Sequence, residues 1–288
     1  MAERAALAPA KVNLFLHVGP VDAVSYHPLA SLVAFADVGD RIAVQPADRL
    51  SLTVEGPFAA GLEGQDDNLI LRALRALGDA ARVGDPPLAV TVDKRLPIAA
   101  GLGGGSADAG AALKLARDAL GLDLDDEVLA DIAAGIGADG PMCLHARAAW
   151  AEGRGERLTF EPRLPPLPAL LINPGVASPT GEVYRAYDAG PPAAADRPAP
   201  PPDWDVATVI DWLTAQRNDL QSPAVERTPA IGAALAAASA LPGARLVRMS
   251  GSGATVFALF DTPAAAALAG GHLAEIQPGW WIAPANLA

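Results

Sequence analysis

The sequence predicts an α+β protein with helices on one face of an antiparallel sheet. Three observations carry this reading: short apolar runs of period two crowd the first part of the chain, helical periods dominate the middle, and paired strands return near the end. Val12, Leu14, Leu16 and Val18 alternate with Lys11, Asn13, Phe15 and His17, the pattern of a half-buried strand on which Lys11 and Asn13 share a face. Residues 31–36, 41–45 and 50–55 read as further strands, with Gly39-Asp40 turning the chain between the first two. Asp67 or Asn68 then caps a helix whose Leu69, Ile70, Ala73, Leu74 and Leu77 keep the helical period. A strand follows, with Leu88, Val90 and Val92 on one face. Residues 97–107, PIAAGLGGGSA, form a glycine loop that opens an alanine- and leucine-rich helix ending at Gly121. The next helix, capped at Asp123 or Asp125, carries Leu129, Ile132 and Ile136 and ends in Gly137-Ala138-Asp139-Gly140-Pro141, which sets Asp139 in a tight turn. Residues 150–153 close this half as a strand, and 155–168 read as a transition.

The second half opens on a buried strand at 169–173 and a short helix at 182–187. Residues 191–203 are rich in proline and alanine and lack the apolar periodicity needed to pack, so a mobile surface loop is expected there. Helices resume at 206–215 and 230–240, and strands at 246–250 and 255–260 flank a Gly251-Ser252-Gly253 turn. A last helix and a short strand near Trp281 follow. There is no internal repeat, and the length of 288 residues suits two domains, expected at 1–155 and 156–288.

Composition narrows the function. Hydrophobic residues make up 51% of the chain, but no apolar stretch approaches the roughly 20 residues that span a bilayer, so no membrane partner is expected. The segment MAERAALAPAK lacks the apolar run and cleavage site of a secretory signal. The single cysteine, Cys143, allows neither an intrachain disulfide nor a thiolate-rich zinc site and reads as a small buried hydrophobe. A cytoplasmic setting is the expectation. A formal charge of −12 with only 21 Lys and Arg argues against a nucleic-acid partner. An anionic cofactor must then be held locally, by backbone amides and a few cations.

The run Gly101, Gly103, Gly104, Gly105, Ser106 offers such amides, because a glycine loop opening a helix turns several N–H groups toward one point. It lacks the Gly-Lys-Ser/Thr ending of a P-loop, and Ser106 stands where a dinucleotide fingerprint needs glycine. Phosphoryl transfer also needs a group that orients or deprotonates the attacking hydroxyl and cations that neutralise charge. Lys11 and Asp139 are the candidates, although taken singly they read as a solvated charge at a strand start and a turn former. Tyr26-His27 could stack on a base and bond its edge. Metal binding by His27 has no support, since the chain holds four histidines and none at ligand spacing. The Gly251-Ser252-Gly253 turn is either an ordinary hairpin or a second set of amides for a substrate phosphate.

Three segments taken together, APAKVNLFLHV at 8–18, LPIAAGLGGGSADAG at 96–110 and RMSGSGATVFALF at 248–260, resemble the GHMP kinase superfamily in content, order and spacing. SYHPL at 25–29, DNLI at 67–70, GADGP at 137–141 and RNDLQSPA at 217–224 are similar to the branch of that superfamily that phosphorylates a cytidyl diphosphate-linked methylerythritol. The resemblance covers nearly the whole chain apart from the proline-rich loop and the last helix. It implies a two-domain GHMP kinase fold, with a ribosomal protein S5 domain 2-like N-terminal domain and a ferredoxin-like C-terminal domain. It further implies transfer of the ATP γ-phosphoryl group, with Mg2+, to the 2-hydroxyl of that small-molecule substrate in non-mevalonate isoprenoid precursor synthesis, by a monomer or weak homodimer. Residue by residue, it makes Asp139 the general base and Lys11 the group that steers the hydroxyl and stabilises charge. Pro97, Gly101, Leu102, Gly103, Gly104, Gly105, Ser106 and Ala107 become the ATP phosphate loop. Asn13, Tyr26 and His27 become the cytidyl pocket, with Tyr26 stacking on cytosine, His27 reading its polar edge and Tyr184 a second aromatic wall.

This chain departs from the family pattern at three places. Ser25 replaces a glycine before the Tyr-His pair, where a positive φ would be strained for serine, and Pro28 removes an amide donor after it. Gly140 replaces a bulkier apolar residue and is expected to loosen the turn at Asp139. Two competing readings remain, another GHMP kinase acting on mevalonate, its phosphate, homoserine or a sugar, and a non-catalytic nucleotide-binding module. Tyr26-His27 argues against the first, and the presence of both Lys11 and Asp139 against the second.

Overall fold

The computed structural model describes residues 3–23, 25–62, 68–191 and 193–288. In chain order the elements are β1 (Arg4–Asn13), β2 (His17–Val18), β3 (Leu29–Pro46), β4 (Ser51–Glu55), α1 (Leu69–Ala81), β5 (Leu88–Asp93), α2 (Gly104–Leu120), α3 (Asp126–Ile136), α4 (Gly140–His145), β6 (Ala149–Gly153) and β7 (Arg157–Phe160). After these come β8 (Leu167–Asn173), α5 (Thr180–Asp188), α6 (Val206–Thr214), α7 (Gln221–Arg227), α8 (Pro229–Ser239), β9 (Leu246–Met249), β10 (Val256–Leu259), α9 (Pro263–Ile276) and β11 (Trp281–Leu287). The mixture of segregated helices and largely antiparallel strands is the α+β class that the periodicities predict. The chain forms two compact units, one of Met1–Ala10, Val38–Ile98 and Gly103–Ala146, the other of Lys11–Asp37, Ala99–Leu102 and Arg147–Ala288.

In the first unit the end of β3 pairs antiparallel with β5, Ile42 opposite Val92, and β4 lies parallel to β5 on its other side. That parallel pair departs from the all-antiparallel expectation. Helices α1 to α4 pack on one another, and α1 starts where Asn68 accepts the Ile70 amide. Asp67, the alternative cap, lies outside the described residues. Asp125 rather than Asp123 caps α3, accepting from Val128, and Gly121 ends α2 in the left-handed region.

The turn expected at Gly39-Asp40 does not exist, because β3 runs unbroken for 18 residues. Gly39 is there for close approach: a Cβ on it would lie 2.7 Å from the Ala8 carbonyl carbon and 2.8 Å from Pro9 Cα, inside van der Waals contact. Asp40 is fully buried, its carboxylate taken up by the chain that follows β5. A glycine and an aspartate side by side resemble a turn, yet here each serves packing.

In the second unit, β11, β8, β10 and β9 form an antiparallel sheet with Ile172 opposite both Ile282 and Val256. The start of β3 pairs with β2 and β6, Ala30 opposite His17 and Leu32 opposite Trp150. Leu170, Ile172, Val183, Leu220, Ile231, Met249, Val256 and Phe260 belong to one apolar core that joins sheet and helices. Three short elements escaped the sequence reading: β7 has four residues, α4 has six and α7 has seven. Segments so short show too little period to be told from turns.

Two expectations fail here for physical reasons. Strand β1 begins at Arg4, and its end is buried on both faces: Lys11 and Asn13 are buried like Val12 between them. Residues 193–203 of the proline-rich segment, expected to be mobile, are held by bonds from other elements. Trp212 Nε1 donates to the Ala199 carbonyl at 3.0 Å, Arg217 Nη2 to Ala194 at 2.6 Å and His17 Nδ1 to Asp196 at 2.9 Å. The Arg197 guanidinium also sits 4.2 Å over the Trp150 ring. The segment needs no apolar period, because side chains from other elements bond its carbonyls.

If Gly39 marks close approach rather than a turn, Gly39→Ala must force β1 and β3 apart. A loss of about 1–3 kcal/mol in unfolding free energy is expected by urea denaturation at unchanged m.

Candidate active site

The first unit supplies the helix start. Gly103 caps α2 at φ 63 with no side-chain cap bond, so the amides of Gly104, Gly105 and Ser106 lack the partner that a serine or aspartate cap would give. The Ala107 amide bonds the Gly103 carbonyl at 2.9 Å. Uncapped amides at the positive end of a 17-residue helix favour an anion there. Pro97 and Ala107 are buried at either side of this loop.

Beneath that turn lies a charge cluster that the sequence reading missed. Lys94 Nζ donates to Asp40 Oδ2 at 2.5 Å and to Asp108 Oδ2 at 2.7 Å, with all three residues buried. A Cβ on Gly104 would lie 3.2 Å from Lys94 Nζ, so the ammonium sits against the first turn of α2. Asp40 Oδ1 also accepts from the amides of Arg95 and Leu96, at 2.6 and 2.8 Å, and thereby holds the chain as it leaves β5. The signal was available: Leu88, Val90 and Val92 point inward, and Lys94 is the next inward position.

Burial pushes the Asp108 carboxyl up to about 7, with Lys94 opposing and Asp40 adding to the rise. Asp108 Oδ1 has no hydrogen-bond partner among the described residues. For Lys94, burial works downward and the two carboxylates outweigh it, so its pKa is raised.

Asp139 stands at the start of α4 and makes no side-chain cap bond. Its turn lies close to the first turn of α2, since a Cβ on Gly137 would be 3.9 Å from Ser106 Oγ. The turn is not loosened by Gly140. A Cβ there would lie 2.5 Å from the Ala133 carbonyl carbon, so the glycine lets α4 close on α3. Asp139, Gly103, Gly104, Gly105, Ser106 and Ala107 thus belong to one unit.

The second unit holds Lys11, Asn13, Tyr26, His27, Tyr184, Gly101 and Leu102. Lys11 Nζ donates to Asn13 Oδ1 at 2.8 Å, and Asn13 Nδ2 donates to Ser31 Oγ at 2.8 Å. Asn13 therefore orients the lysine. The Lys11 amide bonds the Leu102 carbonyl at 2.8 Å, and Ser250 Oγ donates to the Gly101 carbonyl at 3.1 Å. Gly101, at φ 74, packs so closely on the 250–253 turn that a Cβ would lie 2.8 Å from the Gly253 carbonyl oxygen. That turn is braced in place: Ser178 Oγ donates to the Ser252 carbonyl at 2.6 Å, and Asn218 Nδ2 donates to the carbonyls of Met249 and Gly251, both at 2.8 Å.

Arg248, on β9, was also missed. Its guanidinium bonds the carbonyls of Leu14, Leu213 and Gln216, and burial lowers its pKa to about 10.

His27 and Tyr184 come together, ring centroids 4.8 Å apart, and His27 Nε2 lies 2.6 Å from Asp188 Oδ1. Tyr26 is half exposed beside Ser25, which does adopt the strained φ of 63. Among the described residues no group of three or more His, Cys, Asp or Glu could hold a metal ion.

Known proteins resemble this chain over its length. The family model described as GHMP kinases N terminal domain matches residues 68–147, and that described as GHMP kinases C terminal matches 205–275. The chain is 52% identical to the 4-diphosphocytidyl-2-C-methyl-D-erythritol kinase of Caulobacter vibrioides, over 98% of this chain and 99% of that protein. It is 47% identical to the enzyme of the same name from Dinoroseobacter shibae, over 98% and 94%. A crystal structure of 4-(cytidine 5'-diphospho)-2C-methyl-D-erythritol kinase superposes with a TM-score of 0.79 at 34% identity, covering 99% of both chains. The mevalonate kinase of Methanococcus jannaschii superposes at 0.69 with 12% identity, covering 100% of this chain and 99% of that one, a likeness of fold alone.

Removing the ammonium would leave two buried carboxylates unpaired, so Lys94→Met is expected to cost about 3–5 kcal/mol of stability by urea denaturation. Asp108 binds its proton more tightly folded than unfolded, so its contribution is complete below about pH 4 and lost as pH rises through about 7. Asp108→Asn, which keeps an oxygen for Lys94, should flatten the fall in melting temperature between about pH 4 and 7; an unchanged slope would place the titration elsewhere.

Proposed function

The chain belongs to the GHMP kinases, and on that premise we propose that it transfers the γ-phosphoryl group of ATP to the 2-hydroxyl of 4-diphosphocytidyl-2-C-methyl-D-erythritol, giving the 2-phosphate and ADP in non-mevalonate isoprenoid precursor synthesis. The observation that carries this reading is identity of about half with kinases of that name over essentially the full length of both chains. A division into an N-terminal ATP-binding domain, 1–155, and a C-terminal domain, 156–288, belongs to the same proposal.

In this reading, the amides of Gly103, Gly104, Gly105 and Ser106 hold the phosphate tail, and Gly101 and Leu102 shape the approach to it. The geometry of α2 supports this, because its first-turn amides have no side-chain cap to displace. Asp139 takes the proton from the attacking hydroxyl, and Lys11, held by Asn13, stabilises the charge that develops on it. Tyr26, His27 and Tyr184 receive the cytosine end. Mg2+ keeps most of its waters and binds through substrate phosphates, so the lack of a three-ligand cluster among the described residues is compatible with it. It would arrive on the ATP phosphates, where the Ser106 hydroxyl at the start of α2 is one protein oxygen that would help hold it, and would neutralise charge on the transferred group. No described helix is long and apolar enough to cross a membrane. A cytoplasmic setting is part of the same proposal.

Incubation with ATP, Mg2+ and a panel of acceptors tests the assignment: turnover of homoserine or mevalonate without turnover of the cytidyl substrate would overturn it. Asp139→Asn should retain ATP binding by calorimetry while kcat falls about 100-fold or more. A near wild-type rate would remove Asp139 from the mechanism.

A further inference from the structure

The acceptor pocket has a cationic neighbour on the tight hairpin that joins β6 to β7. Gly153 and Gly155 take φ of 71 and 106, and Glu156 folds back so that its Oε2 accepts the Arg154 amide at 2.5 Å. The register sets Gly153 opposite Leu29, two residues beyond His27. This delivers Arg154 to Tyr26, its guanidinium carbon 4.0 Å from the ring centroid. One carboxylate ties both partners: Asp22 Oδ1 accepts the Tyr26 amide at 2.9 Å, while Asp22 Oδ2 lies 3.9 Å from Arg154 Nη2.

We propose that Arg154 is a positioning residue for the acceptor, its guanidinium bracing the Tyr26 ring as a platform for an aromatic base. The proposal rests on the acceptor-pocket reading above. An exposed tyrosine on a loop samples several rotamers, and ordering it on binding opposes affinity. A guanidinium stacked on one face selects a single ring orientation before the ligand arrives, while Tyr26 keeps half its surface open. A hairpin tip that served only its own turn would need Glu156 and the glycines but no planar cation over a neighbouring ring.

Steady-state kinetics with ATP, Mg2+ and the cytidyl acceptor test this in Arg154→Ala, Arg154→Lys, Tyr26→Ala and the Tyr26→Ala/Arg154→Ala double variant. Arg154→Ala should raise the acceptor KM about two- to five-fold, with kcat and the KM for ATP unchanged. Arg154→Lys, which keeps the charge but loses the planar face, should fall between. In the Tyr26→Ala background the loss of Arg154 should add nothing further. An equal KM increase in both backgrounds would mean that the charge acts on the diphosphate directly and would overturn the bracing role. A lowered melting temperature with unchanged KM would overturn it too, by confining Arg154 to the hairpin. Wild-type protein that neither turns over the cytidyl acceptor nor binds cytidine 5'-diphosphate would sink the pocket reading and this proposal together, whereas a flat KM with normal turnover sinks the proposal alone.

Discussion

The ammonium of Lys94, shared between two buried carboxylates, is the interaction on which the first unit depends. An ion pair this deep gains little net stability, since desolvating its members offsets much of their attraction. What it supplies is position. Asp40 is fixed in β3 and bonds two amides of the chain that leaves β5, while Asp108 is fixed in α2, so a single ammonium joins strand, exit loop and helix. An apolar trio of the same volume could fill the space but would not hold the Arg95 and Leu96 amides in one direction. The cluster also leaves an excess of carboxylate under a helix start whose partial charge is positive, a favourable arrangement. Raised toward neutrality, Asp108 gives up part of that excess to a proton instead of a second cation.

The second unit uses a different device for the same purpose. Lys11 is aimed by Asn13, Asn13 is held by Ser31 and Ser250, and Ser250 in turn bonds the Gly101 carbonyl. Neutral amides and hydroxyls do here what charges do in the first unit, with smaller desolvation penalties for each group. Arg248 is the exception. It satisfies three carbonyls with no carboxylate partner among the described residues, and burial, which disfavours the charged form, lowers its pKa to about 10. Two of those carbonyls, Leu213 and Gln216, lie at and just past the end of α6, where helices leave acceptors unsatisfied and favour a positive group.

Much of this was legible from residues alone, and the failures share a cause. The strand, glycine loop and helix of 88–121 stood out because three local signals agreed: a period-two run, consecutive glycines and a helical period with a glycine stop. Asn68, Asp125 and Gly121 were readable as helix ends for the same reason. Gly39-Asp40 misled because its local reading, a turn, competed with a long-range one, close approach to Ala8 and burial against Lys94. Segment 191–203 misled likewise, since nothing in its own composition announces that Trp212, Arg217 and His17 bond its carbonyls. Lys94 and Arg248 lay at inward strand positions, where a long cation is normally excluded. Only the partners, distant in sequence, make those positions tolerable, and a reading that looks at neighbours in the chain cannot find them.

The net charge sharpens the question of how such a protein attracts an anion at all. With a formal charge of −12, its far field opposes ATP and a diphosphate-bearing acceptor alike. At physiological ionic strength that field decays over about 8 Å, so the repulsion affects approach more than the bound state. At contact, the outcome is set by whatever points directly at the phosphate oxygens. Uncapped amides at α2, already oriented by the helix, need no side-chain ordering to act and cannot be screened once water is excluded. Cations are needed only where charge changes during the reaction or where an aromatic platform must be steadied. An acidic chain can therefore serve anionic ligands if its few cations are each held by a neighbour, as Asn13 holds Lys11 and as Asp22 and Tyr26 hold Arg154.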